Sequence, residues 1–371
     1  MLEIALVLAV VLVAFANGAN DNFKGVATLY GSGTTSYRGA IAWATVTTLA
    51  GSMTAVLLSV KLVAAFSGKG LVPDALTRDP RFVLAAGVGA GATVLIASRV
   101  GLPISTTHSL LGALLGAGLL ATSGHVQFAR LGRAFILPLG LSPLLAMALT
   151  SVLYRILRLA RHGLGVERRM CVCIKEGVEP VSLAPDGTAV LRSTGIALTV
   201  QQQQACREQY WGTVIGFDAQ AILDRLHYLS AGLVGFARGM NDAPKIVALL
   251  VAAKVLGIGA GLALVAVVMA VGGLLAARRV AETLSHRITA MNHGQAFTAN
   301  AVTAALVLIA SRWGLPVSTT HVSVGSLAGI GAATGQGRWA TISTIAAAWI
   351  TTLPLAATLG AASYALARWT G

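Results

Sequence analysis

Long apolar runs alternate with short polar breaks along most of the chain. They fall near 2–19, 41–66, 82–98, 103–121 and 134–154. A polar stretch follows at about 155–226, and a second set runs near 228–253, 256–277, 296–310, 316–334 and 341–367. Several reach the roughly 20 residues of a membrane-spanning helix. The pattern predicts an all-α polytopic membrane protein. In each set the third and fourth runs, on either side of the Ser-Thr-Thr-His motif, are short and are joined only by a Gly-Leu-Pro turn. Short segments interrupted by Gly and Pro at matching places in two halves mark the binding region of a transporter. Such a pair is either two spans or one re-entrant helical hairpin. With five crossings or three, each set crosses an odd number of times, so two inverted-topology repeats are expected. The divisions are a first transmembrane repeat at 1–155, a linker domain at 156–226 and a second repeat at 227–371.

Composition agrees with the pattern. Of 371 residues, 56% are hydrophobic and 11% charged, with a mean hydropathy of +0.77; soluble domains carry about 25% charged residues. The 42 glycines suit close packing of membrane helices. A net charge of +14 raises nucleic acid as a partner, but the excess sits in loops between apolar segments and forms no single basic face. No nucleic acid is therefore expected, and membrane lipid is the surrounding partner. Three cysteines make no disulfide framework. Cys171 and Cys173 resemble half a metal site, without a second pair, and read as ordinary thiols. No cofactor is expected. Leu2–Ala16 lacks a positive leader and runs into Asn17–Asp21 without a cleavage site, so it reads as a retained first segment.

The central stretch carries Arg155, Arg158, Arg161, Arg168, Arg169, Lys175, Arg192, Arg207 and Arg225. The positive-inside bias places it in the cytoplasm and both termini outside, although Lys61, Lys69, Arg78 and Arg81 pull mildly the other way. Cys171–Ile174, Ala189–Leu191 and Ile196–Val200 are β-prone, with a turn at Pro185-Asp186-Gly187 and a low-complexity run at Gln201–Gln204. The prediction is a small cytoplasmic insert with a few strands, then a helix from about Tyr210 into the membrane.

Two motifs recur. Residues 97–108 read ASRVGLPISTTH and residues 310–321 read ASRWGLPVSTTH, identical at ten of twelve positions. Asn20-Asp21 with Lys24 recurs as Asn241-Asp242 with Lys245. Pro103 and Pro316 disfavour helix in the residue before them. They place Ser105, Thr106, Thr107 and Ser318, Thr319, Thr320 at helix starts, where free N–H groups and the dipole attract anions. The plainer reading is N-capping; its recurrence at two broken segments favours a small-anion site. Asp21 and Asp242 in apolar surroundings are functional candidates, against a plain Asp–Lys neutralising pair. Two Asp and two Lys cancel, and each carboxylate can accept a proton from the ligand. Phosphate keeps an acidic proton near neutral pH whereas sulfate has none, so phosphate is favoured. Arg99 and Arg312 are gating or anion-attracting candidates, or snorkel to the interface. His108 and His321 are structural or proton-carrying. Arg238 has no counterpart in the first half, where Asn17 stands. Asn292, His293 and Gln295 have no assigned role.

Gly18-Ala19-Asn20-Asp21, Gly239-Met240-Asn241-Asp242 and the turns 101–108 and 314–321 resemble the signatures of the inorganic phosphate transporter (PiT) family. The resemblance covers both membrane halves. It implies an inverted-repeat fold with re-entrant hairpins, a homodimer, a multi-pass location in a bacterial inner membrane, and phosphate held between the Asn-Asp segments and the Ser-Thr-Thr turns. It also implies a coupling ion, H+ or Na+, with Na+ possible near Asp21 and Asp242. One departure stands out: Lys24 replaces the usual Asn. An ammonium beside Asp21 is a poor neighbour for sodium, so proton coupling, or loss of one sodium site, is expected. The expected function is phosphate import by cation symport. The rivals are a sulfate permease, a membrane enzyme acting on phosphorylated substrates, and an anion-sensing receptor.

Overall fold

The computed structural model describes residues 2–58, 60–164, 167–169, 173–183, 189–199, 209–211, 213–214 and 217–369. Helices dominate. They are α1 (Leu2–Asp21), α2 (Ala27–Gly31), α3 (Tyr37–Leu58), α4 (Val60–Phe66), α5 (Asp74–Thr77), α6 (Pro80–Val100), α7 (Thr106–Ala121), α8 (Phe128–Leu131) and α9 (Leu137–Gly163). After the central stretch come α10 (Ala219–Ala252), α11 (Ile258–Ala276), α12 (Arg278–His286), α13 (His293–Trp313), α14 (Thr319–Thr334) and α15 (Trp339–Trp369). Seven helical stretches among the described residues are long and apolar enough to cross a membrane. Each predicted apolar run holds a long helix, except that 41–66 is divided between α3 and α4.

The chain forms two compact units, Met1–Leu157 with Asp224–Gly371, and Arg158–Leu223. In the second unit β1 (Glu167–Arg169) pairs antiparallel with β4 (Gln209–Trp211), β2 (Cys173–Leu183) with β3 (Ala189–Thr199), and β5 (Thr213–Val214) with β6 (Phe217–Asp218). The β-prone runs Ala189–Leu191 and Ile196–Val200 are thus the two ends of one strand, save Val200. Cys171, Val200, the turn at 185–187 and Gln201–Gln204 lie outside the described residues. A helix from Tyr210 is not formed: Tyr210 pairs with Arg168, and α10 begins at Ala219. Its apolar, helix-period pattern begins only after Phe217-Asp218.

The helical unit is apolar outside and polar inside. Leu8, Leu57 and Ile350 are 61%, 80% and 76% exposed, while Asn20, Asp21, Arg238 and Asn241 are buried. In water this would be unstable, whereas hydrocarbon accepts the outer face and demands internal partners for the polar groups. Close backbone approach allows the packing. A Cβ on Gly18 of α1 would collide with the Met269 carbonyl of α11.

Two hairpins repeat one local design. Helices α6 and α13 each end on a glycine, Gly101 and Gly314, in left-handed conformation (φ 77° and 73°). Pro103 or Pro316 follows, and then Ser105 or Ser318 caps the next helix by accepting from the His108 or His321 N–H. Helices α7 and α14 have 16 residues each, about 24 Å at 1.5 Å per residue, short of the ~30 Å hydrocarbon core.

Candidate functional site

The four repeated motifs meet in one buried cluster. Asn20 ties the end of α1 to the first hairpin. Its amide donates to Ser98 Oγ (3.1 Å) and Leu102 O (2.9 Å), and its carbonyl accepts from Ile104 N (3.0 Å). Asn241 does similar work in the second half, donating to Val317 O (3.4 Å) and accepting from Ser311 Oγ (3.2 Å). The aspartates face the first threonine of their own hairpin. Thr106 Oγ1 donates to Asp21 Oδ2 (3.2 Å) and Thr319 Oγ1 to Asp242 Oδ2 (3.3 Å).

The lysines cross over. Lys24 pairs with Asp21 and also reaches Thr320 Oγ1 of the second hairpin. Lys245 lies 3.4 Å from Asp242 Oδ1 and donates to Thr107 Oγ1 of the first hairpin (2.9 Å) and to Val317 O (2.6 Å). The second threonines answer in kind: Thr320 Oγ1 donates to Ile104 O (2.6 Å) and Thr107 Oγ1 to Val317 O (3.4 Å). Each lysine thus bridges its own aspartate to the opposite repeat.

Arg238 adds a third buried cation. Its guanidinium donates to Asn17 Oδ1 (2.6 Å), Asn22 Oδ1 (2.8 Å) and Thr48 Oγ1 (3.2 Å), and its Nε lies 3.8 Å from Asp242 Oδ2. Asn17 in turn donates to Asp21 Oδ2 (3.0 Å) and Thr106 Oγ1 (3.0 Å) and reaches Asp242 Oδ2 (3.5 Å). The cancellation of two Asp against two Lys therefore needs correction: Arg238 leaves the cluster with one positive charge in surplus.

The other candidates lie apart from this centre. Ser105 and Ser318 spend their hydroxyls on capping. His108 and His321 face each other at 4.7 Å between ring centroids, with His321 stacked on Trp349 and bonded to Leu139 O (2.9 Å). Arg99 and Arg312 are exposed and outside the cluster. Asn17, Asn22, Ser98 and Ser311 were not singled out as site residues. Ser98 and Ser311 had a signal, since both sit inside the repeated twelve-residue stretch; Asn22 had only its polarity in an apolar region. Among the described residues no group of three or more His, Cys, Asp and Glu side chains is placed to hold a metal ion.

An apolar outer surface, helices of spanning length and a sealed charged centre between two broken hairpins define a multi-pass membrane protein of the carrier class. The chain belongs to the phosphate transporter family, whose sequence profile matches residues 17–360. A Pyrococcus horikoshii protein named as a phosphate permease is 28% identical over 92% of each chain. The chloroplastic inorganic phosphate transporter 2-1 of Arabidopsis thaliana is 27% identical over 92% of this chain and 68% of its own. A solved structure named the sodium-dependent phosphate transporter shares the fold, with a TM-score of 0.78 at 21% identity over 99% of both chains. The family and these relatives are transporters and permeases, and the chain is not an enzyme.

Proposed function

We propose that this chain imports inorganic phosphate in symport with a proton, by alternating access. The observation that carries the reading is the surplus positive charge of the buried centre, Lys24, Arg238 and Lys245 against Asp21 and Asp242. An unbalanced buried charge costs several kcal/mol, and one bound monoanion removes it. Dihydrogenphosphate is such an anion, and it equals hydrogenphosphate plus one proton. Its O–H groups donate to the aspartates, while the threonines at the starts of α7 and α14 and the lysines donate to its bare oxygens. Sulfate at neutral pH would overshoot the charge and offer the aspartates no proton.

Residues 1–155 and 227–371 act as the two inverted repeats, with 156–226 as a cytoplasmic linker. The bonds Lys24–Thr320 and Lys245–Thr107 join the repeats, so rocking one repeat against the other must exchange them for new partners. Sodium symport is the second reading, favoured by the name of the structural neighbour. Against it, Asp21 already holds the ammonium of Lys24, where a sodium ion needs oxygen ligands.

The test is uptake of radiolabelled phosphate into proteoliposomes under an inward proton gradient, without sodium and with excess unlabelled sulfate. Uptake that ignores sulfate supports the proposal. Abolition by sulfate overturns the substrate, and uptake only after sodium is added overturns the coupling ion.

A further inference from the structure

The two hairpins are alike in sequence and unequal in support. Along the first turn, the carbonyls of Arg99, Gly101, Leu102, Pro103 and Ile104 each accept a bond from a side chain elsewhere in the fold. Arg279 of α12 donates to Arg99 O, and Thr283 of α12 to Gly101 O (2.8 Å). Asn20 of α1 donates to Leu102 O (2.9 Å), Trp349 Nε1 of α15 to Pro103 O (3.2 Å) and Thr320 of α14 to Ile104 O (2.6 Å). The matching residues of the second turn are Arg312, Gly314, Leu315, Pro316 and Val317. Among the described residues, Val317 O alone of these carbonyls accepts from side chains. Its donors are Lys245 (2.6 Å), Asn241 (3.4 Å) and Thr107 (3.4 Å). Exposure follows support: Leu315 is 43% exposed, whereas Gly101, Pro103 and Ile104 are buried.

The element behind the first turn is itself anchored. A Cβ on Gly31 of α2 would collide with the Ser285 carbonyl of α12, Tyr30 donates to Glu282 (3.1 Å), and the Arg278 guanidinium lies 5.9 Å over the Tyr37 ring. Helix α12 therefore splints the first turn to α2 and α3. What lies against Gly314 in the second hairpin is the aliphatic stem of Lys61 on α4. A segment with few internal bonds opens locally at low free-energy cost. We propose that the turn of the second hairpin is the moving gate of the carrier, that the first hairpin is a fixed wall splinted by α12, and that bound phosphate releases the gate by recruiting the donors of Val317 O. This rests on the alternating-access reading above.

The donors tie the gate to the ligand. Thr107 and Lys245 belong to the groups that donate to bound phosphate. An ammonium has three donors, and Asp242, Thr107 and Val317 O take those of Lys245. Engaging phosphate draws Lys245 and Thr107 away from Val317 O and leaves it the long bond from Asn241. The first turn gives up only the bond from Thr320. Asn20 spends both amide hydrogens on Ser98 Oγ and Leu102 O, and Arg279, Thr283 and Trp349 donate to the turn from outside the charged centre.

The test is hydrogen–deuterium exchange of the full-length protein in detergent, read by mass spectrometry over residues 101–105 and 314–318, with and without saturating inorganic phosphate. Without phosphate the second turn should exchange about tenfold or more faster than the first, the scale of one or two missing hydrogen bonds. Phosphate should speed the second turn about threefold further and leave the first within about twofold. Thr283→Val, which removes one bond of the splint, should speed the first turn about fivefold, whereas Thr283→Ser should not. Equal exchange in the two turns would overturn the gate. A second turn that is fast but indifferent to phosphate, or slowed by it, would also overturn it, because a merely exposed loop behaves that way. A first turn unmoved in Thr283→Val would remove α12 as the splint. Should that variant not fold, the comparison of the two turns in the unmutated protein still decides. Wild-type proteoliposomes without phosphate–phosphate exchange would instead sink the alternating-access reading, and the gate with it.

Discussion

In the first half α1 stops at Asp21, and the next residues turn through single three-residue hydrogen bonds, Lys24 N to Asp21 O and Val26 N to Phe23 O. In the second half α10 carries Asn241 through Lys245 without a break, although Pro244 removes one backbone donor. Both lysines stand three residues after their aspartate, yet only Lys245 is held on a helix. Lys24 hangs on a turn and closes on Asp21 and Thr320. At the matching position one turn earlier, the halves also differ: Asn17 stands on α1 and Arg238 on α10, and Arg238 donates to Asn17. Two copies of one motif therefore build unequal partners, one half adaptable and neutral at this position, the other rigid and cationic. The two halves are therefore not interchangeable at the charged centre, although their motifs match.

The comparison is broken most completely by removing an aspartate. Asp21→Asn leaves Lys24 buried without its carboxylate. Losing one partner of a buried ion pair costs about 3–5 kcal/mol. Net uptake should fall below detection in proteoliposomes while the detergent-purified protein stays monodisperse, and normal uptake would remove Asp21 from the mechanism. Arg238→Gln is the next largest. It takes away the surplus charge and the three charge-assisted bonds to Asn17, Asn22 and Thr48, of about 1.5–3 kcal/mol each. Phosphate affinity should fall by about tenfold or more, at 1.4 kcal/mol per decade, as read by isothermal titration. An unchanged affinity would mean that the surplus charge does not hold the ligand.

Much of this was legible from the residues alone. The twelve-residue echo located both hairpins, because a Gly-Leu-Pro break followed by Ser-Thr-Thr specifies a left-handed stop, a restricted residue and a cap, all of them local. The buried meeting of the Asn-Asp segments with those turns also followed from where charge is tolerated in an apolar chain. The crossover of Lys24 to Thr320 and Lys245 to Thr107 did not, since spacing within a half carries no information on which hairpin a long side chain will meet. Nor did the burial of Arg238: a lone arginine reads equally as a snorkelling end. The strand at Tyr210 was missed because its partner, Arg168, is 42 positions away.

Lys24→Asn sharpens the comparison by restoring an amide where an ammonium now stands. It frees Asp21 and offers one more oxygen ligand beside it. Uptake driven by a proton gradient should drop about tenfold, the size of one lost charge-assisted bond, and stimulation by sodium should appear. A variant that remains indifferent to sodium would show that Lys24 is not what excludes it.

The smallest effects should come from the crossing threonines, and they should be unequal. Thr320 donates to Ile104 O and meets Lys24, whose other partner among the described residues is Asp21. Thr107 meets Lys245, which also holds Val317 O and Asp242. Removing one hydroxyl costs about 1 kcal/mol where the partner has alternatives, and more where a buried donor is left unmade. Thr320→Ala should therefore slow net uptake several-fold more than Thr107→Ala, with both variants folding normally by thermal denaturation in detergent. Equal slowing would mean that the two repeats share the load across the crossover evenly. The asymmetry would then have to lie in Arg238 and Asn17, a matched position of the buried cluster at which the halves differ in charge.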